Sequence, residues 1–104
     1  MTEPYRLIIP PRVAVEIQQI HDRIAKDSPQ NAQSMTVRIM DALELLQSFP
    51  HRAEVVSQPR GLKHPVRSVV VRPYIIYFRA IDDEKIVRIL RVRHGARRQL
   101  QRFE

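Results

Sequence analysis

The chain has 104 residues, 43% hydrophobic and 28% charged, which is long enough for one domain with one modest core and too apolar for wholesale disorder. It has no cysteine, which excludes a disulfide framework, a thiolate zinc site and a thiol nucleophile. Its formal charge of +7 is uneven: residues 1–50 hold 5 Lys/Arg against 6 Asp/Glu, whereas residues 51–104 hold 13 against 5, so the cationic surface belongs to the second half.

Fifteen of the 18 cations are Arg, whose planar fork grips carboxylate and phosphate bidentately. No apolar run approaches the roughly 20 residues that span a bilayer, and Met1-Thr2-Glu3-Pro4 does not open a signal peptide. One domain over residues 1–104, in the cytosol and with no membrane partner, is the expectation.

The first strand is expected at Tyr5 to Ile9, where strand formers run up to Pro10-Pro11. From Val13 the period changes. Val13, Ile17, Ile20 and Ile24 recur at helical spacing, with Glu16, Gln19, Asp22, Arg23 and Lys26 elsewhere on the wheel, which predicts an amphipathic helix ending near Lys26. Asp27-Ser28-Pro29 supplies an N-cap followed by a proline suited to the first turn, so a second helix starts there. Its stripe is Ala32, Met35, Ile39, Leu43 and Leu46, and Pro50 stops it. The short link between the two predicts an antiparallel helix hairpin lying on a sheet.

Residues 51 to 65 lack periodicity and read as a loop. Three strand-like runs follow: Val66 to Arg72, Tyr74 to Ala80, and Lys85 to Arg93, with Pro73 and Asp82-Asp83-Glu84 at the reversals. The expected fold class is therefore α+β: strand, helix hairpin, then a three-stranded antiparallel meander, with the helices on one face of a small sheet.

By the period of two, Arg91 and Arg93 share a face, Tyr77 and Arg79 share one in the preceding strand, and Arg67 shares one with Val69 and Val71. Whether these faces coincide is left open by parity. Beyond the last strand come His94-Gly95-Ala96-Arg97-Arg98, where Gly95 is expected to take a backbone conformation closed to other residues and turn the chain outward.

The order of elements, together with Ile20-His21-Asp22-Arg23-Ile24-Ala25, Leu46-Gln47-Ser48-Phe49-Pro50, Tyr74-Ile75-Ile76-Tyr77-Phe78-Arg79 and Ile89-Leu90-Arg91-Val92-Arg93-His94-Gly95-Ala96-Arg97-Arg98, resembles the ParE/RelE superfamily of bacterial toxins from about residue 5 to residue 100. The resemblance implies a type II toxin-antitoxin toxin with a cognate antitoxin as partner. It also offers two activities: ParE-like members bind and poison DNA gyrase, and RelE-like members cleave messenger RNA on the ribosome.

Cleavage needs a base, an acid and a cation for the phosphorane charge. The related nucleases place a carboxylate or lysine in the loop before the second strand, or a tyrosine or histidine at the extreme C-terminus. Here the loop reads Pro59-Arg60-Gly61-Leu62-Lys63, and the end reads Arg102-Phe103-Glu104. The nuclease candidates reduce to His94, Lys63, Arg67 and Arg91. The C-terminal pattern resembles the ParE-like branch more closely, so Arg91, Arg93, His94, Arg97 and Arg98 are expected to contact the target, and Arg67, Tyr77 and Arg79 the antitoxin. A third reading, a plain basic RNA-binding module, is weakened by an aromatic content of 6%, which leaves few stacking platforms. The four histidines lack ligand spacing, so no metal and no cofactor is expected.

Overall fold

The computed structural model describes residues 3–95. Its elements run β1 (Arg6–Ile8), α1 (Pro11–Ala25), α2 (Pro29–Ser48), one 3-10 turn (Pro50–Arg52), β2 (Glu54–Ser57), β3 (Val66–Val71), β4 (Tyr74–Ile81) and β5 (Ile86–His94). This is the α+β order expected, with one addition. The stretch read as a loop contains β2, an edge strand paired antiparallel to β3.

Both helices begin where backbone chemistry favours it. Pro11 opens α1, where a missing N–H costs nothing, and the Pro10 carbonyl accepts from the amides of Val13 and Ala14. Ile24 O then accepts from the amides of Asp27 and Ser28, closing α1. Ser28 at once caps the next helix, its hydroxyl accepting from the Asn31 amide at 3.2 Å. All five residues of the α2 stripe, Ala32, Met35, Ile39, Leu43 and Leu46, are buried.

The sheet order is β1-β5-β4-β3-β2. β1 inserts parallel to β5, and the other neighbours are antiparallel. Tyr5, just before β1, is held to the end of α2: its amide donates to the Gln47 carbonyl at 2.7 Å, and the Gln47 side-chain Nε2 donates to the Tyr5 carbonyl at 3.0 Å.

The helices cover one face of the sheet. Tyr74, Ile76, Phe78 and Ala80 of β4 and Val87, Ile89 and Val92 of β5 join Val13, Ile20, Ile39 and Leu43 in the core. The β5 series changes parity between Ile89 and Val92 because the β4–β5 register shifts there: Phe78 faces Ile89 but Tyr77 faces Arg91, and Leu90 is the extra residue. That bulge decides which arginines share a face.

Gly95 differs from expectation. It does not occupy the left-handed region; Gly61 does, at φ +84°. Gly95 instead lets the chain approach the β3–β4 turn, donating to the Pro73 carbonyl at 2.7 Å, and a Cβ at Gly95 would sit 3.1 Å from that oxygen. Its role is close approach, and Arg97 and Arg98 lie outside the described residues.

Candidate partner-binding site

The face of the sheet turned away from the helices is cationic along the β4–β5 hairpin. Directly opposed pairs share a face, and the register opposes Arg79 to Arg88, Tyr77 to Arg91 and Ile75 to Arg93. Four guanidiniums therefore belong to one side of two strands. Without the bulge at Leu90, alternation would have put Arg88 on the covered face. Sequence reasoning missed Arg88 for that reason.

Like charges directly opposite one another destabilise a sheet, so this arrangement is not a folding device. Among the described residues, the buried Nε atoms of Arg79 and Arg93 reach no hydrogen-bond partner. A donor left unmet and shielded from water costs roughly 1–3 kcal/mol, and more when it is charged.

At the far end of β5 this surface runs into a cleft of about 200 Å³ against α1. It is lined by Glu16, Gln19, Ile20 and Arg23 of α1, by Tyr74 of β4 and by Arg91, Val92, Arg93 and His94 of β5.

Glu16 was placed on the polar side of α1 by its chemistry, and the structure corrects this. It stands three residues after Val13 and four before Ile20, so it sits at the border of the apolar stripe, with its side chain 13% exposed. Its two oxygens accept from Arg91 Nε at 2.7 Å and from the Val92 amide at 2.9 Å. That amide lies past the point where β1 ends, since the last β1 partner on β5 is Arg88.

The remaining candidates are dispersed. Arg67 alternates with Val69 and Val71 onto the helix-covered side, where its Nη1 donates to the carbonyls of Ala53 at 2.9 Å and His51 at 3.4 Å. It ties the 3-10 turn to β3 and does not join Tyr77 and Arg79. Lys63 pairs with Asp83 at the β4–β5 turn, 3.2 Å away. His94 stacks edge-on against Tyr74 at the opposite end of the hairpin, with ring centroids 5.4 Å apart. Between Arg79, which faces the first residue of β3, and Tyr74, which faces His94, the strand advances five residues, roughly 17 Å. Lys63 and His94 are therefore not brought together as a base and an acid.

The β4–β5 turn is a second charged cluster. Asp82 Oδ1 accepts from the Tyr5 hydroxyl at 2.8 Å and meets His51 Nε2 at 2.9 Å, while Asp83 meets Lys63 Nζ and His64 Nε2, each at 3.2 Å. Burial, with Asp82 acting in the same direction, pushes the Tyr5 phenol up. A backbone hydrogen bond, followed by the Lys63 contact, holds the Asp83 carboxyl below its usual range. No group of three or more His, Asp or Glu that could hold a metal ion occurs among the described residues, and no helix there is long and apolar enough to cross a membrane.

The geometry gathers cationic groups: a row of guanidiniums on one side of the β4–β5 hairpin, beside a polar cleft. Residues 7–99 match the family described as the ParE toxin of the type II toxin-antitoxin system parDE. The chain is 34% identical over 87 residues to the toxin RelE2 of Caulobacter vibrioides, covering 83% of this chain and 90% of that protein. A structure of the chromosomal ParDE system of P. aeruginosa superimposes with a TM-score of 0.68 at 20% identity, covering 89% of this chain and 98% of the other. The RelE–RelB complex of Pyrococcus horikoshii gives 0.66 at 14% identity, with 90% and 98% covered. At such identities the two structures establish the fold.

Proposed function

Because the chain belongs to the ParE toxin family of type II toxin-antitoxin systems, within the ParE/RelE superfamily, we propose that it arrests growth by binding and poisoning DNA gyrase and that a cognate antitoxin neutralises it. The observation that carries this reading is the arginine row on the face of the β4–β5 hairpin turned away from the helices. There Arg79, Arg88, Arg91 and Arg93 are gathered on one side of two strands, while Lys63 and His94, the candidate base and acid, stand at opposite ends of the hairpin, which suits docking better than turnover.

In this reading the target contact comprises Arg91, Arg93 and His94 together with Arg97 and Arg98. The antitoxin reaches Arg79 with carboxylate-bearing chain, as segments that fold on binding can, whereas Tyr77 is buried and serves the fold of that face. Arg67, committed to two backbone carbonyls, contributes to the fold of that region. The test is a supercoiling assay with purified gyrase. Wild-type chain inhibits supercoiling or traps cleaved DNA, and substituting Arg97 and Arg98 by Ala abolishes the effect. Unaffected supercoiling at stoichiometric excess contradicts the reading.

One observation favours a second reading. The Caulobacter relative carries the name RelE2, and RelE-like members act on messenger RNA at the ribosome. Primer extension on translated messages separates the two, because a ribosome-dependent nuclease produces new codon-phased ends and a gyrase poison produces none.

A further inference from the structure

We propose that Glu16 is a positioning residue for the binding cleft: it fastens Arg91 by Nε alone, so that both Nη groups and the neighbouring Arg93 are presented to a carboxylate of the bound protein partner. The proposal rests on the cleft being a docking site for a protein.

A carboxylate at the margin of an apolar stripe is costly unless paired, and Glu16 is paired twice. The Val92 amide it accepts from has lost a strand neighbour, because β1 ends opposite Arg88. One oxygen therefore stands in for the missing strand and fixes the carboxylate. The other meets Arg91, whose side chain is 21% exposed. Arg carries five N–H donors in a rigid fork, and this contact uses the inner one. Among the described residues no further bond to Arg91 is formed, which leaves the outer edge of the fork for bidentate binding.

The surroundings supply the polarity of the ligand. Arg23, Arg91 and Arg93 line the cleft together with one carboxylate, Glu16, and the buried Arg93 Nε has no acceptor among the described residues. A Glu or Asp side chain on an extended or helical segment fits such a setting.

Charge counting and positioning predict opposite signs. Removing the negative charge of Glu16 makes the cleft more cationic, so a site acting by net charge alone, or one that Glu16 blocks, would bind an acidic peptide more tightly. A site that Glu16 builds would bind it less tightly. The probe is a hexaglutamate peptide titrated at low salt into the intact chain, with thermal melting run in parallel. Glu16→Gln is expected to weaken binding roughly tenfold, the scale of one charge-assisted contact.

In an Arg91→Ala background the same change should produce no further loss, since Glu16 acts through Arg91. A loss of melting temperature alone would not generate that coupling. Should Glu16→Gln not fold, Arg91→Lys keeps the charge, lacks the fork and is expected to lose a similar factor.

Equal or tighter binding by Glu16→Gln overturns the proposal, as does a further loss in the Arg91→Ala background. Wild-type chain that ignores the peptide but binds an RNA hexamer through these arginines overturns it in favour of phosphate. If the peptide results hold while gyrase is unaffected, the gyrase assignment alone falls.

Discussion

The two faces of this sheet treat arginine in opposite ways. On the helix-covered side, Arg67 is consumed by the fold, its guanidinium bonded to the carbonyls of His51 and Ala53 beside a core that includes the fully buried Phe78. On the other side, Arg79 and Arg88 oppose one another, and the buried Nε atoms of Arg79 and Arg93 have no acceptor among the described residues. The β4–β5 turn behaves like the covered face, because Asp82 and Asp83 each meet side chains from distant segments. Charge that the chain satisfies internally serves folding, and the charge left unmet on the other face is what the proposed partner contact uses.

Mutations should separate the faces. Phe78→Ala, on the covered side, is expected to cost about 3–5 kcal/mol in urea or thermal unfolding, the range for emptying a close-packed aromatic site. Next in size, reversing Arg79 to Glu should weaken binding of the antitoxin roughly tenfold, the scale of one charge contact. The same variant should melt within a few degrees of wild type. If it melts as low as Phe78→Ala, the distinction between the faces collapses.

Arg67→Ala should cost about 1–2 kcal/mol by orphaning two carbonyls, or several degrees of melting temperature, whereas Arg88→Ala should stay within about 0.5 kcal/mol. Equal losses at the two positions would contradict the comparison.

The smallest effect concerns pH. Asp83 is held below the ordinary carboxylate range, so the folded state prefers it ionised. Its contribution is present above that range and is lost as pH falls through the lowered value. Melting curves of wild type and Asp83→Asn should therefore differ at pH 6 and converge only as pH falls below the ordinary aspartate value of about 3.9. A difference that grows on acidification would show that the turn is held by something else.

The helices were legible in the sequence because their signals are local. The five-residue α2 stripe is buried as its spacing predicts, and Ser28 caps the helix it precedes. The meander was legible for the same reason. β2 was not: Glu54, Val55 and Val56 are exposed in an edge strand whose register shifts between Val55 and Ser57, so no alternation marks it. The site was partly legible. Tyr77, Arg79, Arg91 and Arg93 were placed on one side by parity within each strand, but coincidence of those faces depends on register.

Arg88 and Glu16 escaped because each is defined by a long-range fact. One is the bulge at Leu90, and the other is the early end of β1 beside Val92. The only sequence trace of Glu16 is a carboxylate three residues after Val13 and four before Ile20, at the margin of an apolar stripe.

The most direct test of the central claim is arginine footprinting with phenylglyoxal on the chain alone and bound to gyrase. Gyrase is expected to shield Arg91 and Arg93, while Arg38 on the outer surface of α2 stays reactive. Shielding of Arg38 with Arg91 and Arg93 still reactive would contradict the reading.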